Sequence, residues 1–375
     1  MSKTSDIIKK LSLSQSISDE ELLFLMRGDA DLDCLFNEAD RVRRKVYGNG
    51  VYIRGLIEIS NYCKNNCLYC GIRCANEKAS RYRLTKEDIL FCCEKGYELG
   101  FRTFVLQGGE DEYYTDEVLT SIISEIKRLC PNSAVTLSVG ERSYDSYKML
   151  FDAGADRYLL RHETADDAHY GKLHPRSMKL EERKRCLFNL KEIGYQVGSG
   201  FMVGSPFQTD ETLLKDLRFL EELSPDMIGI GPFLTHKDTP FKEYPNGDLE
   251  LTLRLVAIAR LMFPHALIPA TTALGTLSED GRKRALLAGA NVVMPNLSPE
   301  AVRSLYTLYD NKAYSGAEAA ESLSLIKKLV EKAGYEVVTA RGDVKTTKFA
   351  LSGKLSDTRK HVFVGGTYAC ERSES

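Results

Sequence analysis

The alternation of two kinds of segment constrains the fold of this chain most strongly. Short apolar runs alternate with stretches in which apolar residues recur with the period of a helix. The pattern extends over about 250 residues, the typical length of a β/α barrel. The predicted strands are short and rich in β-branched residues, as expected of strands buried on both faces. They cover residues 51–60, 103–107, 134–139, 157–161, 198–203, 227–231, 267–270 and 292–295. The predicted helices between and after them cover residues 85–99, 115–129, 143–152, 180–193, 210–223, 249–262, 279–288 and 299–308. Eight strands alternating with helices predict an α/β fold, a complete (β/α)8 TIM barrel.

A doubly wound open sheet is the competing architecture. The dinucleotide fingerprint G-x-G-x-x-G does not follow the first strand, which weakens that alternative. Residues 1–50 form a predicted helical extension, with helices over 18–29 and 35–47, and the barrel occupies 51–310. Residues 311–375 are expected to form one more helix over 317–332 and a polar tail.

Charge and composition exclude several classes of function. The 375 residues carry a net charge of −2, which gives no support for binding nucleic acid or an anionic membrane. No apolar run approaches the ~18 residues of a membrane span, and the N-terminus lacks an apolar signal core. We therefore expect a cytoplasmic protein, whose ten cysteines are ligands and buried thiols rather than disulfides.

Three cysteines in one short loop carry the clearest chemistry. Cys63, Cys67 and Cys70 have the spacing C-x3-C-x2-C and begin three residues after the first predicted strand, at the face where barrels hold their active sites. Three thiolates can hold three irons of a 4Fe–4S cube and leave the fourth iron open. This pattern resembles the radical S-adenosylmethionine (radical SAM) superfamily, and Tyr69 is placed to pack on a bound adenine. A zinc site that also uses Cys74 is disfavoured, because structural zinc sites usually separate two ligand pairs by a longer spacer.

A glycine turn ends the second strand. Gln107, Gly108, Gly109 and Glu110 form it, and the glycines let a ligand approach the backbone without a Cβ in the way. The exposed backbone groups suit the amino and carboxylate ends of an amino acid. A simple turn is the alternative, but the place at a strand's C-terminal end favours binding of the methionine part of SAM.

Polar residues also end other predicted strands. Arg161 and Glu163 are two residues apart, so on a strand they point the same way, and Arg183 begins the next helix. Together they predict a carboxylate clamp, with a structural ion pair as the alternative. Further candidates at the barrel mouth are hydroxyls, which are also simply strand-favouring, and side chains whose default role is packing. The hydroxyls are Thr136, Ser138, Thr271 and Thr272, and the packing residues are Met227, Met294, Tyr306 and Tyr309, the two tyrosines lying three apart on one predicted helix face.

Longer strings narrow the family. The chain resembles the HydE-type FeFe-hydrogenase maturases, in the biotin-synthase-like branch of radical SAM enzymes, from about Arg41 to Asp310. The strings are Ile57-Glu-Ile-Ser-Asn61, Cys67-Leu-Tyr-Cys-Gly71, Val105-Leu-Gln-Gly-Gly-Glu-Asp111, Ala155-Asp-Arg-Tyr-Leu-Leu-Arg-His-Glu-Thr164, Gly229-Ile-Gly-Pro-Phe233, Ile268-Pro-Ala-Thr-Thr272 and Ala290-Asn-Val-Val-Met-Pro-Asn296. The resemblance implies a complete TIM barrel and reductive cleavage of SAM to a 5′-deoxyadenosyl radical. That radical would attack a cysteine-bound iron carbonyl cyanide complex, a precursor of the hydrogenase di-iron site.

The resemblance also implies roles for the residues above. Cys63, Cys67 and Cys70 would ligate one 4Fe–4S cluster, whose open iron SAM would chelate. The implied SAM contacts are Tyr69, Gln107, Gly108, Gly109, Glu110, Ser138, Glu163 and Arg183. The implied substrate cavity is lined by Arg161, Thr136, Thr271, Thr272, Met227, Met294, Tyr306 and Tyr309. The implied partners are the companion maturases HydG and HydF and an electron donor.

One departure from the family concerns a second cluster. Some members carry three more cysteines beyond the barrel, whereas Cys370 is the single cysteine after the last predicted strand here. One cluster is therefore predicted.

Two other functions stay open. A radical SAM carbon-skeleton mutase, such as methylornithine synthase, would share the barrel and cluster but would bind an α-amino acid. An iron–sulfur sensor or electron carrier is disfavoured by the missing fourth cysteine. Biotin synthase is disfavoured because the strands after the cysteine loop carry no cysteine, and hydrolases lack a readable nucleophile–His–carboxylate set.

Overall fold

The structure is a computed structural model that describes residues 3–28, 30–312 and 319–345. These residues form fourteen helices and eleven strands. The strands are β1 (Gly50–Ile53), β2 (Gly55–Ser60), β3 (Thr103–Gly108), β4 (Ala134–Ser138), β5 (Arg157–Leu159), β6 (Gln196–Ser199), β7 (Met202–Val203), β8 (Met227–Ile228), β9 (Gly231–Pro232), β10 (Val292–Val293) and β11 (Glu336–Val338). Residues up to Val344 form one compact unit, and Lys345 begins a second whose other residues lie outside those described.

A six-stranded parallel sheet forms the centre of the α/β fold, in the order β2-β3-β4-β5-β6-β8. Every residue of β2 is buried, which explains its almost continuous apolar sequence. Beyond β8 the pairing continues as single parallel bridges, Met227 to Leu267 and Pro269 to Val292. Strand β10 pairs with β1, and Leu56 of β2 forms a bridge with Asn296.

Several predicted strands are interrupted. The run 51–60 divides into β1 and β2 at Arg54, and 198–203 and 227–231 each divide into two short strands. Gly200 explains one break, because its φ of +156° is a conformation that residues with side chains rarely adopt, and a Cβ there would lie 2.0 Å from the Gly229 oxygen. The run 267–270 forms bridges rather than a strand. These breaks leave a sheet of six continuous neighbours where the sequence predicted eight.

The helices follow the predicted order. They are α1 (Lys3–Ser14), α2 (Asp19–Met26), α3 (Leu32–Tyr47), α4 (Lys86–Glu98), α5 (Asp116–Leu129), α6 (Tyr144–Asp152), α7 (Asp167–Leu173), α8 (Leu180–Ile193), α9 (Asp210–Leu223), α10 (Leu249–Met262), α11 (Thr272–Leu277), α12 (Gly281–Leu287), α13 (Glu300–Arg303) and α14 (Ala319–Lys332). Helices α8, α9 and α10 match their predicted bounds. Helix α4 begins with a capping box between Thr85 and Asp88, which satisfies two backbone donors reciprocally. Helices α1, α7 and α11 were not predicted.

The predicted helix 299–308 was wrong over most of its length. Helix α13 ends at Arg303, so Tyr306 and Tyr309 do not share a helix face. The backbone oxygens beyond it bond elsewhere: Asn61 Nδ2 donates to the Leu305 oxygen at 2.8 Å, and the Gly71 N–H donates to the Leu308 oxygen at 2.9 Å. These bonds hold residues 305–308 against the loop that follows β2.

Part of the C-terminal segment packs on the sheet. Strand β11 pairs in parallel with β1, which the sequence did not predict. Asp343 accepts hydrogen bonds from the fully buried Arg157 of β5 at 2.6 Å and from Gln196 at 3.0 Å. The division of the chain at residues 50 and 310 stays a prediction, and Cys370 and residue 317 lie outside the described residues. No helix in the described part of the chain is long and apolar enough to cross a membrane.

Candidate active site

The cysteine loop starts directly after β2 and is held by backbone hydrogen bonds. The Lys64 N–H donates to the Glu110 oxygen at 2.9 Å, which ties the loop to the turn after β3. The Cys74 N–H donates to the Asn65 oxygen at 2.9 Å and closes the loop on itself. Parallel strands end at the same edge of the sheet, so the loop lies beside the other strand ends.

The three predicted ligands are half-buried, whereas Cys74 is exposed. Burial raises the pKa of the Cys63 and Cys67 thiols, and it raises the pKa of Cys70 to about 12. The thiols therefore keep their protons near neutral pH, and metal binding must displace them. In the portion of the chain that is described, no three His, Cys, Asp or Glu side chains surround one common metal position.

A segment after α7 covers the loop. The Leu68 N–H donates to the Leu173 oxygen at 2.9 Å, and the Cys67 thiol lies 3.8 Å from the Met178 sulfur. The Tyr69 hydroxyl lies 3.2 Å from His174 Nε2. Burial lowers the pKa of His174 to about 3, so its imidazole is neutral at physiological pH. The side chain predicted to pack on adenine is thus fixed by a neutral histidine.

The glycine turn packs against the cysteine loop. A Cβ on Gly109 would lie 2.2 Å from the Tyr62 oxygen and 2.7 Å from the Cys63 Cβ. Glycine is therefore required here by contact with the loop, a reason that differs from the predicted approach of a ligand. The Gln107 amide donates to the Tyr306 hydroxyl at 3.4 Å. A Cβ on Gly108 would lie 3.3 Å from both Ile59 Cγ1 and the Ser60 oxygen, a tighter contact than most side chains make.

Glu110 ends the turn at a cleft of about 340 Å³ that Lys64, Glu141 and Arg142 also line. Glu110 Oε1 accepts a hydrogen bond of 3.1 Å from the Glu141 N–H. A Cβ on Gly140, which has a φ of +84°, would lie 1.9 Å from the Glu110 Cγ. Gly140 therefore leaves the space that the Glu110 side chain occupies, which lets Glu110 lie against Glu141.

Two ion pairs sit at the strand ends. Arg161 Nη2 lies 3.0 Å from Glu163 Oε2, and Arg183 Nε lies 2.6 Å from Glu141 Oε1. Arg183 Nη1 also donates to the Arg161 oxygen at 3.4 Å, which joins the pairs. Strand β5 ends at Leu159 and Glu163 has a φ of +65°, so the alternation of a strand does not explain why Arg161 and Glu163 meet.

The predicted hydroxyls fall into two groups. Thr136 on β4 and Thr271 before α11 each bury a hydroxyl that has no hydrogen-bond partner among the described residues. Thr272 lines a cavity of about 240 Å³ together with Met294 and Asn296. Ser138 is half-buried at the end of β4, opposite Gln107 in the register.

The remaining predicted residues form walls. Met227 is buried and accepts a hydrogen bond of 2.9 Å at its sulfur from Arg54 Nη1. Tyr306 is buried, and burial raises the pKa of Tyr309 to about 12. The structure places Gln107, Gly108 and Ser138 at strand ends beside the cysteine loop, whereas Thr136 lies in the middle of β4. Met227 lies in a separate apolar cluster with Tyr47 and Leu267, and Met294 packs against that cluster.

Sequence reasoning missed a buried acidic group inside the sheet. Glu58 is fully buried on β2, accepts a hydrogen bond of 2.8 Å from Asn296 Nδ2, and pairs with Lys312. Lys312 also donates to the Tyr306 oxygen at 3.0 Å. Glu58 is the single charged residue in the mostly apolar strand β2, and this could have marked it as a buried functional group. Glu141, the partner of Arg183, had no such signal because it lies in a loop.

The residues present fit a cluster and SAM. Three thiols on one loop, with no fourth cysteine beside them except the exposed Cys74, suit a cube with one open iron. The buried hydroxyls of Thr136 and Thr271, which lack hydrogen-bond partners within the described ranges, are polar atoms that a bound polar ligand would satisfy.

Comparison with known proteins gives the class of protein first. The sequence pattern of the radical SAM superfamily matches residues 57–220, and the chain is a radical SAM enzyme. It is 46% identical over 302 residues to the FeFe hydrogenase maturase subunit HydE of Thermotoga maritima, covering 80% of this chain and 86% of that protein. The chain therefore belongs to the HydE family of radical SAM maturases.

More distant relatives share the fold. The chain is 32% identical over 282 residues to 3-methylornithine synthase of Methanosarcina acetivorans, covering 74% of this chain and 79% of that protein. The crystal structure of methylornithine synthase (PylB) superposes with a TM-score of 0.79 at 28% identity, covering 88% of this chain and 97% of that structure.

Proposed function

We propose that this enzyme cleaves SAM at one 4Fe–4S cluster and acts on an iron precursor of the FeFe-hydrogenase di-iron site. The observation that carries this proposal is the placement of the three-cysteine loop. It sits at the strand ends, against the glycine turn and beside the linked pairs Arg161–Glu163 and Arg183–Glu141. The sheet with its bridges is proposed to close a (β/α)8 barrel around the site, with residues 1–50 and 311–375 flanking it.

Cys63, Cys67 and Cys70 would hold the cluster. Bound there and reduced, the cluster supplies the electron that splits SAM into methionine and a 5′-deoxyadenosyl radical. Gly109 keeps the loop seated against the turn, because any side chain at that position would push Cys63 away. Met178 covers the Cys67 thiol on the other side.

The charged pairs would bind SAM. The Glu110 and Glu141 carboxylates face the cleft where the SAM amino group would lie, and Arg183 offers its guanidinium to the carboxylate. Tyr69, Gln107, Gly108, Ser138 and Glu163 complete the proposed contacts. Tyr69 lies in the loop, Gln107, Gly108 and Ser138 lie at the ends of β3 and β4, and Glu163 lies beyond the end of β5.

The substrate would be a cysteine-bound iron carbonyl cyanide complex. Its polar ligands would meet the buried hydroxyls of Thr136 and Thr271 and the guanidinium of Arg161. Thr272 and Met294 line the adjoining cavity, while Tyr306, Tyr309 and Met227 shape its walls. The companion maturases HydG and HydF would supply the complex and receive the product, in the cytoplasm.

A carbon-skeleton mutase is the second candidate, because the chain shares its fold with methylornithine synthase at a TM-score of 0.79. The higher identity to HydE, 46% against 32%, favours the maturase. The two differ in whether product formation depends on an amino acid or on the iron complex.

Anaerobic reconstitution tests the proposed cofactor chemistry. We expect about four irons and four sulfides per chain, and equal amounts of methionine and 5′-deoxyadenosine when the reduced protein is given SAM. A reconstituted protein that binds zinc instead and releases no 5′-deoxyadenosine would contradict the proposal.

A further inference from the structure

The cavity of about 240 Å³ that Thr272 lines is surrounded by positive charge. Arg282, Arg303 and Lys312 also line it, and its wall contains no Asp or Glu in the part of the chain that the structure describes. Groups of one charge around a partly enclosed space raise the local concentration of ions of the opposite charge. The cavity therefore favours an anionic ligand over a neutral or cationic one.

Two of these cations are held by groups of the protein itself. Lys312 pairs with the fully buried Glu58 and donates to the Tyr306 oxygen at 3.0 Å. Arg303 Nε donates to the Ser298 oxygen at 2.6 Å. The charge of Lys312 is therefore compensated, and the Arg303 side chain is fixed in the wall.

Arg282 differs from the other two cations. It is half-buried, and the described residues offer it neither a hydrogen-bond acceptor nor a carboxylate within ion-pair distance. Asp280, two residues earlier, is exposed and accepts from the Ser278 hydroxyl at 2.6 Å instead. Burial lowers the pKa of Arg282, but a guanidinium stays protonated at physiological pH. Withdrawing an unpaired charge from water costs free energy, which a bound anion would offset.

A glycine makes room for the Arg282 side chain. Gly275 lies within α11, where glycine is about 1 kcal/mol less favourable than alanine. A Cβ at this position would lie 2.8 Å from Arg282 Nε and 3.3 Å from its Cδ. The helix that begins at Thr272, a predicted substrate residue, thus leaves the space in which the guanidinium lies.

Tyr309 connects Arg282 with Arg161, the arginine predicted to contact the substrate. Burial raises the pKa of the Tyr309 hydroxyl to about 12, and the positive charges of Arg161 and Arg282 both act against that rise. Both guanidinium groups therefore lie close enough to this hydroxyl to influence it. They differ in compensation, because Arg161 Nη2 lies 3.0 Å from Glu163 Oε2, whereas Arg282 has no such partner within the described ranges.

We propose that Arg282 binds the carboxylate of the cysteine that holds the iron carbonyl cyanide complex. This assignment rests on the proposed function, because it concerns one group of the same substrate. A guanidinium that no protein carboxylate neutralises is suited to a carboxylate of the ligand. Arg161, which is already paired, and the hydroxyls of Thr136 and Thr271 are then left for the carbonyl and cyanide groups.

Equilibrium binding tests this assignment. The full-length reconstituted protein is dialysed anaerobically against the synthetic iron dicarbonyl cyanide complex of cysteine, and separately against the matching complex of cysteamine, which lacks the carboxylate. The amount bound is measured from the carbonyl and cyanide infrared bands. The variant is Arg282→Gln. The matched control is Arg284→Gln, which removes the same charge from the same helix at a residue that pairs with Glu250.

We expect Arg282→Gln to weaken binding of the cysteine complex about 10- to 100-fold, the effect of losing a charged hydrogen bond, and to change binding of the cysteamine complex less than about twofold. Arg282→Lys keeps the charge but loses the planar guanidinium, so its affinity should lie between those of the wild type and Arg282→Gln. Arg284→Gln should bind both complexes as the wild type does. Iron content and SAM cleavage should be equal in all four proteins, which shows that the cluster site is intact.

The possible results distinguish this assignment from the proposed function. Wild-type affinity of Arg282→Gln for the cysteine complex overturns the assignment. An equal loss for both complexes also overturns it, because the guanidinium would then contact another group or maintain the shape of the cavity. A wild-type protein that binds neither complex, although it cleaves SAM, overturns the proposed function and the assignment with it. Binding of an α-amino acid that depends on Arg282 would in that case favour the mutase.

Discussion

Glu163 has a left-handed backbone that its neighbours enforce. Its N–H donates to the Gly200 oxygen at 3.1 Å, and its own oxygen accepts from the Met202 N–H at 3.3 Å. Such a conformation costs about 1–3 kcal/mol in a residue with a side chain and persists where the surroundings fix it. In this fixed conformation the Glu163 carboxylate lies 3.0 Å from Arg161, and we interpret the enforced backbone as a sign that the pair has a binding role.

Cys67→Ala should abolish cluster binding and all SAM cleavage, because two thiolates hold a cube poorly. Iron and sulfide content and 5′-deoxyadenosine formation measure this. Cys74→Ala is the matched control, since Cys74 is exposed in the same loop, and it should behave as wild type. A Cys67→Ala protein that keeps both properties would refute the ligand assignment.

Arg161→Ala should keep the cluster but lower kcat/KM for the iron complex roughly 10- to 100-fold, the value of a lost charged hydrogen bond. Steady-state kinetics with the complex, beside iron counts, check this. Arg161→Lys retains the positive charge but loses the planar guanidinium, so its kcat/KM should lie between those of the wild type and Arg161→Ala. Wild-type kinetics in Arg161→Ala would mean that the cavity has been misplaced.

The turn after β3 packs against the cysteine loop at Gly109, so a side chain there should displace the loop. Gly109→Ala should lower cluster content although every cysteine is present, because its Cβ would overlap the Tyr62 oxygen and the Cys63 Cβ. Iron content after reconstitution measures the effect. Gly171→Ala in α7 has open space around it and should reconstitute fully. Equal iron in both variants would show that the loop tolerates displacement.

The periodicity of apolar residues correctly predicted the helices whose local sequence is enough to determine them. Helices α8, α9 and α10 each have fourteen residues, and their predicted bounds were confirmed. Helix α10 is buried over residues 252–262, so its length and composition rather than one apolar face identify it. Helix α7 has seven residues, too few to display a period, and residues 305–308 leave the helix because Asn61 and Gly71 bond their backbone oxygens. Motif spacing predicted the cysteine loop, whereas the pairing of Arg183 with Glu141 depends on tertiary contacts between distant loops.

Buried histidines make the stability of the whole molecule depend on pH. Burial lowers the pKa of His162 and His169 below the ordinary value and that of His174 to about 3. The unfolded chain therefore binds more protons than the folded one below about pH 6.5, and stability falls as the pH falls. Asp216, whose pKa burial raises, contributes in the opposite direction.

His169→Gln isolates one of these contributions. His169 is buried between Thr164 and the Pro206 oxygen, and it is not in the cysteine loop. The wild type should lose up to about 1.4 kcal/mol of unfolding free energy per pH unit more than the variant between pH 6 and 5. Chemical denaturation of both proteins at pH 5, 6, 7 and 8 measures this. Parallel pH profiles would show that folding does not lower the pKa of His169.

The chain belongs to the HydE family, and its structure has a cysteine loop at the strand ends and a cavity of about 240 Å³ that Thr272, Met294 and Asn296 line. The most direct test is anaerobic SAM turnover by the reduced, reconstituted protein, with and without a synthetic cysteine–iron–dicarbonyl–cyanide complex, with adenosine products identified by mass spectrometry. We expect an adenosylated product that forms only when the complex is present. SAM cleavage that is indifferent to the complex, and that instead yields product with an amino acid, would contradict the maturase assignment.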